Sequence, residues 1–173
     1  GVNKMIKNPV PLIKLNNGRY IPQIGFGTAY ISDDEDTAVS IVKTALQVGY
    51  RHIDTAEDYN SERAIGRAIK ESGIPREELF ITSKIGVSDM RKKRFFEALD
   101  ESLEKLDLDY LDMYLIHWPV PGYYVKTWKA MEKMLVSGKV KTIGVCNFTI
   151  HHLKDIKKIS DVIPAVNQCE FNP

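Results

Sequence analysis

Phe80-Ile81-Thr82-Ser83-Lys84-Ile85, then the stripe Phe95, Leu99, Leu103 and Leu106, then Leu111 to His117 read in order as strand, helix and strand. Apolar residues at i, i+4, i+8 and i+11 mark one face of a helix, whereas short apolar runs on either side have the length of buried strands. Two such strands joined by a helix form a parallel unit with a right-handed crossover. The same alternation recurs in both directions along the chain.

Upstream, Arg51 to Thr55 reads as a strand, followed by a helix from Glu62 to Glu71 that ends at Gly73. Before it come a strand from Ile24 to Thr28 and a helix that opens on Asp33-Asp34-Glu35-Asp36, where acidic residues suit a helix N-terminus, and closes at Gly49. Downstream, the Pro119-Val120-Pro121-Gly122 turn leads into a helix carrying Val125, Trp128, Met131, Met134 and Leu135, then a strand from Thr142 to Val145. Thr149 is placed to cap a helix with Leu153, Ile156 and Ile159, and a strand from Ala165 to Phe171 follows. Ahead of all this, Leu12 to Tyr20-Ile21 across Asn16-Asn17-Gly18 predicts a β-hairpin with a type I′ turn.

The organisation expected is a leader and hairpin over residues 1–22 and one α/β domain of about six βα units over residues 23–173, with Gly1 to Lys4 read as an appended remnant before a native Met5. Such repeats build either a doubly wound sheet or most of a (β/α)8 barrel. A doubly wound nucleotide fold carries a glycine-rich phosphate turn after its first strand. Gly25-Phe26-Gly27-Thr28 lacks the third glycine and does not open directly into a helix, so the barrel is favoured.

With 24 Lys and Arg against 23 Asp and Glu, the chain has no field to attract nucleic acid or an anionic membrane, and a small molecule is the expected partner. No stretch resembles a signal peptide or a membrane span, which predicts a cytoplasmic protein. Cys146 and Cys169 fit neither a disulfide framework nor a zinc spacing and read as small buried residues.

Thr28, Asp54, Lys84, His117, Asn147 and Gln168 stand at or just past the ends of the six strands, at intervals near one βα repeat. In a barrel they ring the C-terminal mouth, where such enzymes keep their active sites. Thr28 and Gln168 also suit simple strand-end hydrogen bonding. A lysine that ends a buried strand needs a partner, and Asp54 is available. Tyr59 lies five residues beyond Asp54, and His117 converges on the same mouth. The expected chemistry is acid–base work: Asp54 fixes Lys84, the Lys84 ammonium favours the tyrosinate form of Tyr59, and His117 hydrogen-bonds a substrate oxygen or the phenol. No metal is expected; a site on His52, Asp54 and His117 would have Lys84 as an awkward neighbour.

Gly25-Phe26-Gly27-Thr28, Asp54-Thr55-Ala56-Glu57-Asp58-Tyr59, Thr82-Ser83-Lys84, Leu115-Ile116-His117-Trp118-Pro119, Gly144-Val145-Cys146-Asn147-Phe148 and Val166-Asn167-Gln168 resemble, in order and spacing, the motifs of aldo-keto reductases. The resemblance implies a (β/α)8 TIM barrel truncated to about six βα units, and an oxidoreductase that passes hydride from NADPH to an aldehyde or ketone and, in reverse, takes it from an alcohol to NADP+. It implies Tyr59 as proton donor, Asp54 and Lys84 as the pair that tunes it, and His117 as the residue that orients the carbonyl. It implies further that Asn147 and Gln168 hold the nicotinamide carboxamide while Thr28 and Asp54 approach the cofactor ribose.

Three features depart from the family pattern. Cys146 replaces a common serine, and Gly86 replaces a common tryptophan, which predicts a more open pocket and a broad substrate range. Strands seven and eight are missing, which fits an incomplete sequence, a truncated chain or a second chain that completes the barrel. A related barrel that binds cofactor for regulation, or an inactive fragment without the phosphate-binding half, is the alternative reading.

Overall fold

The structure is a computed structural model that describes residues 10–171. The proposed remnant Gly1 to Lys4, the start of the leader and residues 172–173 lie outside the described residues. β1 (Leu12–Lys14) and β2 (Tyr20–Pro22) form the expected antiparallel hairpin, with Ile13 opposite Ile21. Its turn differs from expectation. Neither Asn16 nor Asn17 has a positive φ, while Gly18 does, at 83°. Gly18 N–H donates to Leu15 O and Leu15 N–H to Arg19 O, the three-residue connection in which a left-handed glycine follows a tight turn. Asn17 is free to point inward, and its Nδ2 donates to Thr142 Oγ1 at 3.0 Å.

Six strands form the main sheet: β3 (Phe26–Gly27), β4 (His52–Asp54), β5 (Phe80–Ile85), β6 (Met113–Ile116), β7 (Ile143–Cys146) and β8 (Asn167–Gln168). All pair in parallel, and their spatial order is their chain order. A doubly wound sheet reverses direction at a switch point; this one winds one way, as a barrel wall does. It also curls. Gln168 Nε2 on β8 donates to Asp54 Oδ2 on β4 at 2.9 Å, whereas four strand spacings in a flat sheet would separate them by roughly 19 Å.

Strand alternation sorts the residues between two faces. Ile53, Ile81, Ile85, Tyr114, Ile116, Ile143 and Val145 face outward into the main core. The helices on that side are α1 (Glu35–Gln47), α2 (Glu62–Ser72), α3 (Val87–Lys92), α4 (Phe95–Leu106), α5 (Tyr124–Ser137) and α6 (Ile150–Ile159). Phe80, Met113, Leu115 and Cys146 form a second cluster on the concave face, and Ile21 of the hairpin packs against it. The hairpin therefore closes the end where the strands begin, and the strand ends are left for the site.

Several boundaries move. β3 and β8 are two residues long, shorter than expected, because each is an edge strand with a ladder partner on one side only. A short helix not expected from the sequence precedes α4: Arg91 and Lys92 occupy the last turn of α3, and Lys93 closes it in the left-handed region. Basic residues there suit the helix dipole. Arg94 then pairs with Asp89 and Glu101. Cys146 is buried as expected, but Cys169 is exposed. Among the described residues, no helix is long and apolar enough to cross a membrane.

Candidate active site

Asp54 ends β4, and the chain turns through Thr55 and Ala56 into one helical turn, Glu57–Tyr59, that closes with Asn60 at φ 59°. Tyr59 N–H donates to Ala56 O, which fixes where the phenol projects. A chain of hydroxyls braces this corner: Ser61 Oγ donates to Thr28 Oγ1, and Thr28 Oγ1 donates to Asp54 O at 3.0 Å. Thr28 is fully buried and gives its proton to that carbonyl, so its side chain supports the strand end.

Lys84, near the end of β5, is completely buried. Its ammonium has three donors, and three oxygens surround it: Asp54 Oδ1 at 2.5 Å, Thr55 O at 2.8 Å and the Tyr59 hydroxyl at 3.5 Å. A buried cation is tolerated when it is paired and hydrogen-bonded in this way. The second Asp54 oxygen accepts from Gln168. Each carboxylate oxygen thus has its own donor, one on β5 and one on β8.

His117 follows β6 and lies edge-on to Tyr59, with ring centroids 5.5 Å apart. Trp118 stacks on the same ring at 6.0 Å. Burial, then the Lys84 charge, hold the His117 imidazole below its ordinary value, opposed by Asp58. Asn147, past β7 with φ 60°, donates from Nδ2 to His117 O at 3.3 Å. Cys146 Sγ reaches Gln168 Oε1 at 3.7 Å, and burial pushes the thiol up to about 12. It stays protonated and offers only a weak donor.

The structure thus brings Asp54, Tyr59, Lys84 and His117 together, with Asn147 and Gln168 beside them and Thr28 behind Asp54. The side opened by Gly86 is not empty. Gly86 N–H donates to Glu57 Oε2 at 2.8 Å, and a Cβ on Gly86 would stand 2.6 Å from Asp58 Oδ1. Two acidic side chains thus stand directly against the Gly86 backbone. Burial and the hydrogen bond and charge of Asp89 raise the Glu57 carboxyl to about 7. Asp58 was absent from the expected site although it directly precedes Tyr59; its Oδ2 lies 3.2 Å from His117 Nδ1.

His52 is not directed to a metal: its Nε2 lies 3.0 Å from Thr82 Oγ1, while Asp54 is taken by Lys84. Among the described residues, no group of three or more His, Cys, Asp or Glu could hold a metal ion. A nicotinamide carboxamide fits better with the groups present. Asn147 and Gln168 each carry an amide with both donors and acceptors, and among the described residues the Gln168 Oε1 atom has the Cys146 thiol as its partner.

The family model described as "Aldo/keto reductase family" matches residues 23–173. The chain is 48% identical over 168 residues to methylglyoxal reductase DkgA of Salmonella typhimurium, covering 96% of this chain and 59% of that protein. It is 47% identical over 161 residues to glyoxal reductase of Bacillus subtilis, covering 93% of this chain and 58% of that protein. Among solved structures, an aldo/keto reductase from Brucella melitensis superposes with TM-score 0.89 at 48% identity, over 94% of this chain and 63% of the other. A Bombyx mori aldo-keto reductase in complex with NADP gives TM-score 0.86 at 36% identity, over 94% of this chain and 58% of the other. The chain spans about three fifths of the length of these curated relatives.

Proposed function

The chain belongs to the aldo/keto reductase family, and from that membership we propose that the protein containing it reduces a small aldehyde or ketone with NADPH, using Tyr59 as proton donor. The observation that supports this most directly is the Lys84 ammonium shared between the Asp54 carboxylate at 2.5 Å and the Tyr59 hydroxyl at 3.5 Å. A phenol that only packed in the core would have no use for a buried cation at its oxygen.

When bound, NADPH supplies the hydride for the carbonyl carbon. The Tyr59 phenol gives its proton to the carbonyl oxygen as negative charge develops there. Lys84 stabilises the charge left on the phenol oxygen, and Asp54 keeps Lys84 in place by taking its strongest hydrogen bond. His117 stands beside the phenol and hydrogen-bonds the substrate oxygen or the phenol itself. Asn147 and Gln168 would hold the nicotinamide carboxamide, and the Asp54 oxygen that accepts from Gln168 keeps that amide in place. Thr28 acts through the backbone of Asp54. The names of the relatives point to small dicarbonyls such as methylglyoxal as the first substrates to try.

The test is turnover of methylglyoxal followed by loss of NADPH absorbance, with Tyr59→Phe as the informative variant. Phenylalanine keeps the ring and removes the transferable proton, so cofactor binding should persist while kcat/KM falls by about 10²- to 10⁴-fold. Full turnover by Tyr59→Phe would remove the proton-donor role.

A further inference from the structure

The His117 ring has three close neighbours. Tyr59 lies edge-on at 5.5 Å, Trp118 stacks at 6.0 Å, and Asp58 Oδ2 meets Nδ1 at 3.2 Å. Asp58 and His117 are 59 residues apart in the chain and come together because both sit at strand ends on the same mouth. An ionised carboxylate only accepts hydrogen bonds, so the ring nitrogen facing it has to donate. Lys84 and Asp54 face the ring from within the site and Asp58 from outside; these are the charges that act on it.

Gly86 is the counterpart of this arrangement. Its φ of −74° is open to any residue, so its glycine is not there for backbone freedom. The reason is space, since a Cβ would meet Asp58 Oδ1 at 2.6 Å and Glu57 Oε2 at 3.1 Å. The carboxylate is the end of a short side chain and would have to leave. Glycine at 86 and aspartate at 58 therefore belong together.

We propose that Asp58 is a positioning residue for His117, which keeps the proton of the neutral imidazole on Nδ1 and leaves Nε2 a bare acceptor, so that a donor at Nε2 comes only with a second proton. The chemical consequence rests on the proposed reductase function, whereas the tautomer itself stands on the geometry. A carbonyl oxygen needs a donor, whereas the hydroxyl of an alcohol, or the phenol of Tyr59, can give a hydrogen bond to bare Nε2. His117 then favours carbonyl binding when protonated and alcohol binding when neutral. Removing the charge at 58 separates those two states less sharply.

The measurement is made on the isotope-labelled chain by long-range proton–nitrogen correlation spectra of its histidine rings across pH, with His117→Gln used for assignment. The Asp58 side chain is 44% exposed, so its replacement leaves the core intact. The wild type should show the proton on Nδ1 of neutral His117. Asp58→Asn keeps an acceptor in place; it should keep that tautomer but titrate at lower pH, because the neighbouring negative charge is gone. Asp58→Ala should release the tautomer towards Nε2–H, and Gly86→Ala should do the same by displacing the carboxylate. A wild-type ring protonated on Nε2, or an Asp58→Ala ring with unchanged tautomer and titration, would overturn the assignment. None of these spectra depends on turnover, so an inactive protein would count against the reductase reading and leave this result standing.

Discussion

Lys84 has no contact with solvent and survives as a cation because Asp54, Thr55 and Tyr59 meet its three protons. Lys84→Met removes one half of a buried pair and leaves Asp54 with Gln168 alone, which should cost about 3–5 kcal/mol of stability in urea denaturation. Adding Asp54→Leu should return part of that loss, because the uncompensated charge is then gone. His52 offers a different check. Burial holds its imidazole down at about 4 against an ordinary 6.5. Between those values the unfolded chain binds more protons than the folded one, so His52 contributes stability above about 6.5 that is lost as pH falls towards 4, on the order of 3 kcal/mol. Glu57, raised to about 7 from 4.5, acts with the opposite sign: its share is present below 4.5 and lost as pH rises through 7. His52→Gln, which keeps a group for Thr82, should flatten the acid side of the stability curve. At this scale the polar residues at strand ends were legible because they interrupt apolar runs at a regular spacing. Asp58 was not, since nothing in its neighbours along the chain shows that it meets His117 across the mouth.

The helices were legible where their stripes were long. α4 and α5 follow the apolar repeats closely, and the capping box at Thr149 forms with His152 as its third residue. The six-residue α3 was not legible, because it is too short for a period to show. His152 also packs edge-on to Tyr124 at 5.2 Å and to Phe148 at 5.5 Å. Contact between α2 and α4 depends on Gly66, where a Cβ would stand 2.4 Å from Leu106 O. Helix propensity alone favours Gly66→Ala by up to about 1 kcal/mol. Here the obstacle is backbone, which cannot swing aside, so the substitution should destabilise by about 1–3 kcal/mol as the helices are forced apart. A thermal melt decides the sign: a higher Tm would mean that the two helices slide at no cost.

For the molecule as a whole, the barrel reading rested on a missing glycine pattern, and the sequential strand order supplies the positive reason. The curl itself left no mark in the sequence, because alternation reports which face a residue takes and not how far a sheet bends. In this sheet β5 and β6 are wholly buried with neighbours on both sides, while β3 and β8 are edges. Amide hydrogen exchange should therefore be slowest in β5 and β6 and fastest in β3 and β8; equal protection across the six strands would contradict the open-edged arrangement. The hydrogen bond from Gln168 to Asp54 joins residues 114 positions apart. Lys84, the other donor to that carboxylate, lies only 30 positions from Asp54. One carboxylate thus closes a short loop and a long one, and the long one ties the sixth strand to the second.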